Sequence, residues 1–209
     1  MMRKPDETRS LFDAWAATYD SDLEQPSGPL VGYQESLRQA AALIPVQSGD
    51  RVLDIGIGTG GFAALLALRG TRIWGVDPSQ EMLARCHELH PAFSLAVGDF
   101  SAIPFGAREF DAVISSFAFH ETIPSKRQKA LAAVHRVLRS GGSLALLDII
   151  FASKEAEAEA ARLSIAWDEA EDYPLMGDLD RMLRIAGFSA IRWRQTAPCH
   201  WVVSAQRGE

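Results

Sequence analysis

The sequence has few cysteines and no long hydrophobic segment. Only Cys86 and Cys199 occur among 209 residues, too few for the disulfide framework of a small secreted domain. No apolar run approaches the roughly 20 residues that span a bilayer. The charged first residues have no apolar segment behind them, so we expect neither a signal peptide nor contact with a membrane. These absences favour a cytoplasmic protein.

Positive charge is also scarce. Lys and Arg number 21 against 27 Asp and Glu, which gives a net charge of −6 and a pI near 5.4. Because nucleic-acid binding needs a basic surface, we expect no nucleic-acid partner. The hydrophobic fraction of 47% and the charged fraction of 23% are ordinary. A chain of this length and composition suits one α/β domain.

Residues 51–61 carry the strongest functional signal. A short apolar run over residues 52–55 is typical of a buried parallel strand. Gly56 and Gly58 follow at once, and residues 60–69 then read as a helix. The start of such a helix has unpaired backbone N–H groups, and glycines let a ligand approach them closely. The pattern predicts a site for an adenosine-containing cofactor.

The glycine spacing alone does not identify that cofactor. Gly56, Gly58 and Gly61 also satisfy the dinucleotide fingerprint, so a nicotinamide-dependent oxidoreductase is an alternative. A second strand over residues 72–76 ends in Asp77, whose carboxylate can accept hydrogen bonds from both ribose hydroxyls.

Two further acids favour a different ligand. Asp54 directly precedes the glycines, where the dinucleotide pattern needs no acid. A third strand over residues 93–97 is followed by Asp99. An acid at the end of the next strand suits a ligand that extends along the edge of the sheet, with its adenine beside the ends of several strands.

Five motifs, in order along nearly the whole chain, resemble those of the class I S-adenosylmethionine-dependent methyltransferases. They are Leu53-Asp54-Ile55-Gly56-x-Gly58-Thr59-Gly60, Val76-Asp77-Pro78-Ser79-x-x-Met82, Gly98-Asp99-Phe100, Phe110-Asp111-x-Val113 and Val137-Leu138-Arg139-x-Gly141-Gly142-x-Leu144. Residues 12–20, 117–120 and 148–152 are similar to one subgroup, the YrrT-type bacterial small-molecule methyltransferases. The resemblance implies S-adenosylmethionine as methyl donor, with S-adenosylhomocysteine as product.

The same resemblance implies which residues bind the cofactor. Asp77 is expected to hold the ribose, Asp99 the adenine amino group, and the Phe100 backbone the adenine ring. The complete set expected to bind the cofactor is Tyr19, Gly56, Gly58, Asp77, Pro78, Met82, Asp99, Phe100 and Ser116. Asp54 is expected to order the glycine turn or to reach the methionine ammonium through water.

Catalytic candidates are fewer. His120 follows the fourth strand and could take a proton from the acceptor or orient it; the alternative is a histidine that caps a helix or bonds a loop. Tyr19 could stabilise the sulfonium through its ring, or it could simply pack on its helix, as Trp15 does. His200 could point at the same pocket. No histidine or cysteine cluster predicts a metal site.

The methyl acceptor is less well defined. Base-methylating enzymes carry an Asn/Asp-Pro-Pro-aromatic segment after the fourth strand, where this chain has Ser115, Ser116 and Phe117. A small-molecule acceptor with a nucleophilic O, N or S atom is therefore expected. The acidic residues between 168 and 172 could favour a cationic acceptor, or they form a solvated helix end. A catalytically silent cofactor-binding module is a second alternative.

Strands are expected near residues 51–55, 72–76, 93–97, 110–115 and 143–149, with helices between them. This alternation predicts a doubly wound, mostly parallel sheet, which the resemblance extends to seven strands, the Rossmann-like methyltransferase fold. We expect one domain, with cover helices in residues 1–45, a cofactor-binding core in 50–150 and acceptor-side helices with a terminal strand pair in 151–209. Within these parts, helices are expected over 8–19, 31–44 and 154–170, the last with Leu163 and Trp167 facing inward. The chain is expected to act as a monomer or homodimer.

Overall fold

A computed structural model describes residues 2–164 and 167–208. Seven strands form one sheet in the order β3-β2-β1-β4-β5-β7-β6. The strands are β1 (Arg51–Ile55), β2 (Arg72–Asp77), β3 (Ser94–Val97), β4 (Phe110–Ser116), β5 (Leu138–Ile149), β6 (Phe188–Gln195) and β7 (His200–Arg207).

The strand directions determine where a ligand can bind. β1 pairs in parallel with β2 on one side and with β4 on the other. β3 and β5 continue the parallel pairing outward, and β7 is antiparallel to both β5 and β6. The predicted mostly parallel sheet of seven strands is confirmed. Strand order reverses between β1 and β4, and in such sheets ligands bind beyond the carboxyl ends of the strands at this point.

Helices cover both faces of the sheet. They are α1 (Pro5–Trp15), α2 (Tyr19–Asp22), α3 (Tyr33–Ala42), α4 (Gly61–Ala67), α5 (Gln80–Leu89), α6 (Arg127–Val137), α7 (Lys154–Leu163) and α8 (Met176–Ile185). Successive residues of β1 alternate between two cores: Val52 packs with Leu37 of α3, whereas Leu53 packs with Leu131 of α6. This alternation places Asp54 on the Val52 face of the sheet.

The N-terminal helices lie outside the alternating pattern of strands and helices. α1 packs on α5, next to the carboxyl end of β2. The predicted helix over residues 8–19 begins earlier, at Pro5, and ends earlier, at Trp15. Proline suits the first helical turn because that turn needs no backbone N–H from it.

The helix expected over residues 154–170 is wrong in its second half. α7 ends at Leu163, which is 79% exposed rather than inward-facing. Residues 165 and 166 lie outside the described residues. Trp167 is not helical; its ring packs 5.9 Å from that of Phe151 and 5.1 Å from that of Tyr173. α7 has no buried residue, so no apolar face extends the helix further.

None of the helices within residues 2–164 and 167–208 has the length and apolar content needed to cross a membrane.

Candidate active site

A cleft lies at the carboxyl ends of β1, β2 and β4, where strand order reverses. It encloses about 930 Å³ of empty volume, open solvent at its mouth included. All nine residues expected to bind the cofactor line it. Nearly a hundred residues of sequence separate Tyr19 from Ser116, and the fold brings them to one cleft.

The glycine loop after β1 forms the floor of the cleft. Gly56 has a φ of +73°, and a Cβ there would lie 2.4 Å from the Cβ of Ala118. Gly58 has a φ of +53°, but a Cβ there would meet nothing within 4 Å. Gly56 is thus required by packing, whereas Gly58 borders open space that a ligand can fill.

Asp77 ends β2 and joins two loops of the cleft. Its Oδ2 accepts a hydrogen bond from the Gly58 backbone at 2.9 Å, and its Oδ1 accepts one from the Ser79 backbone at 2.9 Å. Burial, and secondarily the nearby Asp13, raise the pKa of Asp77 to about 6 despite these bonds. Each carboxylate oxygen keeps a second lone pair for a ligand.

The predicted adenine end is formed by the loop after β3. Asp99 Oδ1 accepts hydrogen bonds from the backbones of Ser101 at 2.7 Å and Ala102 at 2.9 Å, which fixes the loop. Phe100 is buried, and its ring meets that of Phe119 edge to face at 5.1 Å. Met82 is buried in the first turn of α5. These side chains present a rigid, largely apolar wall.

Asp54 is a buried carboxylate without a partner. It has no solvent exposure, and neither oxygen has a hydrogen-bond partner among the described residues. Burial and then the charge of Asp77 raise the pKa of Asp54 well above its usual range, and the Ala63 backbone offsets only part of this. An unpaired buried carboxylate is costly, and this one lies directly before the glycine loop.

Aromatic rings close the cleft on the N-terminal side. Tyr19 lines the cleft; its ring meets that of Trp15 at 4.7 Å, and its hydroxyl lies 3.4 Å from the hydroxyl of Tyr33. Burial raises the pKa of Tyr19 to about 12, so the phenol keeps its proton at neutral pH. Tyr33 packs against Phe117 at 4.8 Å. Phe117 lines the cleft with a φ of +52°, a strained conformation often found at functional sites.

Hydrogen bonds fasten the N-terminal helices over the cleft. Ser79 Oγ donates to Asp13 Oδ1 at 2.6 Å, and Thr59 Oγ1 donates to Asp20 Oδ1 at 2.7 Å. At the other end of α1, Thr8 Oγ1 donates to Glu121 Oε2 at 3.3 Å. The cover therefore contacts both the glycine loop and the loop after β4.

His120 is not among the residues that line the cleft, although its neighbour Glu121 is. The imidazole is buried, and its Nδ1 donates to Asp148 Oδ1 at 2.6 Å. Its Nε2 faces Glu121 Oε1 at 3.7 Å and Glu171 Oε2 at 3.8 Å. Burial opposes the charged imidazolium, but Asp148, Glu171 and Glu121 outweigh it and raise the pKa of His120 to about 9.

Sequence reasoning missed the partners of His120. Asp148, Glu171 and Arg127 come from separate parts of the chain, and no spacing signals that they meet. Arg127 donates to the backbone oxygens of His120 at 2.9 Å and Thr122 at 3.1 Å and pairs with Asp172 at 2.7 Å. This one buried guanidinium joins the loop after β4 to the segment before α8.

His200 does not point at the cleft. It has no solvent exposure, its Nδ1 lies 2.9 Å from Ser36 Oγ, and its Nε2 lies 2.7 Å from the Pro29 carbonyl oxygen. Burial lowers the pKa of His200. Both ring nitrogens are occupied, so His200 ties β7 to the N-terminal segment as a packing residue.

Known proteins are similar to this chain in sequence and in fold. The profile of a methyltransferase domain family matches residues 52–142. A methyltransferase of Geobacillus thermodenitrificans strain NG80-2 is 31% identical over 211 aligned positions, which cover 93% of this chain and 94% of the relative.

Solved structures agree on the fold. An S-adenosylmethionine-dependent methyltransferase of Thermotoga maritima superposes with a TM-score of 0.71 at 19% identity and covers 95% of this chain and 99% of its own. The [4+2]-cyclase SpnF superposes with a TM-score of 0.80 at 16% identity, covering 100% of this chain and 97% of its own. The sequence relative shows that the chain belongs to a methyltransferase family, and the solved structures show that it has the fold of S-adenosylmethionine-dependent methyltransferases.

Proposed function

We propose that the protein transfers a methyl group from S-adenosylmethionine, bound in the cleft, to a nucleophilic O, N or S atom of a small metabolite. The observation that carries this proposal is that one cleft is lined both by all nine residues expected to bind the cofactor and by polar side chains beyond them. Family membership supplies the reaction class, and the lining supports the choice of ligands.

The acidic residues at and behind the cleft, and the space beside its glycine loop, fit this cofactor. The carboxylate of Asp77 would accept hydrogen bonds from the ribose hydroxyls through its unused lone pairs. Asp54 is buried directly before the glycine loop and does not line the cleft, so it would order that loop or reach the methionine ammonium through water, which would give its unpaired oxygens a partner. The open space beside Gly58 would let the cofactor lie against the backbone.

The bound cofactor supplies an activated methyl group on a sulfonium. The residues of the chain then have to align the acceptor with that methyl group and exclude water, and alignment of this kind can lower a barrier by about 7–11 kcal/mol. Tyr19 lines the cleft as a neutral phenol, so its ring, rather than a phenolate, would face the sulfonium. A general base is not obligatory, and a role for His120 in proton transfer stays a prediction.

The rest of the lining suggests the acceptor's character. Phe12, Phe117 and Ile123 provide apolar surface, whereas Thr8, Glu121 and Lys126 provide hydrogen bonds and charge. A small acceptor with an apolar body and one polar end matches this mixture. The net charge of −6 supports a metabolite over a nucleic acid. We also propose a cytoplasmic location and action as a monomer or homodimer.

The test must separate methyl transfer from other functions that proteins of this fold can have. SpnF shows that a [4+2]-cyclase can share it, and a silent binding module would keep the cleft without turnover. Calorimetry should show binding of S-adenosylmethionine and S-adenosylhomocysteine but not of NADH. A screen of metabolite pools should then yield S-adenosylhomocysteine only when an acceptor is present. Binding without turnover across chemically diverse pools would favour the silent module, and binding of NADH instead would contradict the proposed cofactor.

A further inference from the structure

We propose that His120, Glu121 and Glu171 form a binding site for one divalent transition-metal ion beside the acceptor end of the cleft. The ligands are the Nε2 atom of His120 and one carboxylate oxygen from each glutamate. These three atoms all lie within 4.8 Å of one another.

The distances between the three ligand atoms are close to those of a site that holds a metal ion. Ligands held at about 2.0–2.2 Å from one ion lie about 3.0–3.5 Å apart. His120 Nε2 is 3.7 Å from Glu121 Oε1 and 3.8 Å from Glu171 Oε2. Shifts of a few tenths of an ångström would bring each carboxylate oxygen to that spacing from the nitrogen, and the two oxygens lie within 4.8 Å of each other. Neither glutamate is fully buried, so both side chains have room to make that shift.

The histidine itself provides an independent observation. His120 is only 5% exposed, yet its Nε2 makes no hydrogen bond to any residue in the described part of the chain. Its Nδ1 is fixed by Asp148, which is 1% exposed and also accepts from the His120 backbone at 3.0 Å. Metal-bound histidines usually donate their other ring N–H to a carboxylate in this way. Asp148 thus orients the Nε2 of a buried histidine toward two carboxylates, neither of which it reaches at hydrogen-bond distance.

The local charge matches a divalent ion. Asp148, Glu121 and Glu171 contribute three carboxylates around one imidazole. Arg3, which lies 3.6 Å from Glu171, is the guanidinium within ion-pair distance of these carboxylates among the described residues. Arg3 also pairs with Asp168, so at least two formal negative charges are left once the imidazole has released its proton to bind the ion, and a divalent cation balances them.

The ligand types indicate which ions can bind. One imidazole nitrogen with two carboxylate oxygens suits Zn²⁺, Mn²⁺ or Fe²⁺ better than Mg²⁺ or Ca²⁺, which prefer oxygen alone. The hydroxyl of Tyr173 already donates to Glu171 and can keep doing so through the oxygen's second lone pair. Remaining coordination positions would be filled by water or by a ligand.

The test uses the full-length, tag-free protein and Mn²⁺ and Zn²⁺ as probes. We expect about one equivalent of Mn²⁺ to bind, measured as loss of the free-ion electron paramagnetic resonance signal, and Zn²⁺ to displace it. Glu171→Gln and His120→Asn should each weaken Mn²⁺ binding at least 10-fold, and Asp148→Asn should weaken it about 10- to 100-fold. Glu169→Gln, an exposed acid two residues from Glu171, is the matched control and should bind as wild type does.

The outcomes separate this inference from the proposed function. Weak or non-stoichiometric Mn²⁺ binding to wild type, or equal losses for Glu169→Gln and Glu171→Gln, would overturn the metal site. Circular dichroism checks that each variant is folded. If His120→Asn does not fold, Glu171→Gln still tests the metal site. Calorimetry with S-adenosylhomocysteine tests the cleft separately, because none of the nine expected cofactor residues is a proposed metal ligand.

Discussion

At the scale of single residues, Asp77 combines two hydrogen bonds to the chain with an expected role toward the ribose. We expect Asp77→Ala to weaken S-adenosylmethionine binding by about 2–4 kcal/mol, because hydrogen bonds to a charged group contribute about 1.5–3 kcal/mol each before water replaces part of them. This corresponds to about 30- to 1,000-fold in Kd. Isothermal calorimetry measures it, with the exposed Asp178→Ala as control. A Kd within threefold of wild type in a folded variant would remove Asp77 from the site.

The raised pKa of Asp77 predicts a pH dependence of stability without ligand. Its pKa moves from 3.8 to about 6 on folding, so between these values the folded state binds more protons than the unfolded state. Protonation of Asp77 therefore adds to the free energy of unfolding; this contribution is complete below pH 3.8 and is lost as the pH rises through about 6. Urea unfolding of wild type and Asp77→Asn should show the wild-type free energy falling relative to the variant between pH 4 and 7, by up to about 3 kcal/mol. A constant difference across that range would contradict the shift.

Some residues of the candidate site could be placed from the sequence, and others could not. Asp77 and Gly56 follow strands directly, so the strand pattern alone brings them to one edge of the sheet. Glu171 lies 50 residues beyond Glu121 in a segment without regular structure, and its position depends on tertiary packing around Tyr173. Its approach to His120 was therefore invisible in the sequence.

At the scale of elements, the cover formed by α1 and α2 is the part expected to respond to ligand. We expect amide exchange at residues 11–22 to slow when S-adenosylhomocysteine is added, because Tyr19 lines the cleft and Asp13 and Asp20 bond its loops. Mass spectrometry of exchanged peptides measures this, with α8 as an internal control. Protection near Gly56 with unchanged exchange at residues 11–22 would show a cover that does not respond.

Elements were predictable where a hydrophobic pattern or a glycine defined them. β1 was predicted with its observed bounds, whereas β5 was predicted from residue 143 and begins at Leu138. Residues 139–142 are polar or glycine, so they show no hydrophobic strand pattern. The second half of the helix after β5 was wrong for the opposite reason. Helix-forming residues such as Ala and Glu continue past Leu163, but α7 ends there and buries none of its residues, so packing does not reinforce its helical propensity.

At the scale of the whole molecule, ligand binding should appear as thermal stability. S-adenosylhomocysteine at 100 times its Kd should stabilise the folded state by about 2.7 kcal/mol. For a protein of this size, 1 kcal/mol shifts the melting temperature by about 2–4 °C, so we expect an increase of about 5–11 °C. Scanning calorimetry should show no such increase with NADH at the same concentration. A shift with NADH alone would contradict the assigned cofactor class.

The two-ended attachment of α1 has a kinetic consequence. Asp13 bonds Ser79 beside the expected cofactor, and Thr8 bonds Glu121 near the acceptor end. A rigid helix cannot leave one partner without disturbing the other, so departure of spent cofactor and of methylated product would share one opening event. If that event limits turnover, kcat should be nearly the same for different acceptors and should fall as solvent viscosity rises.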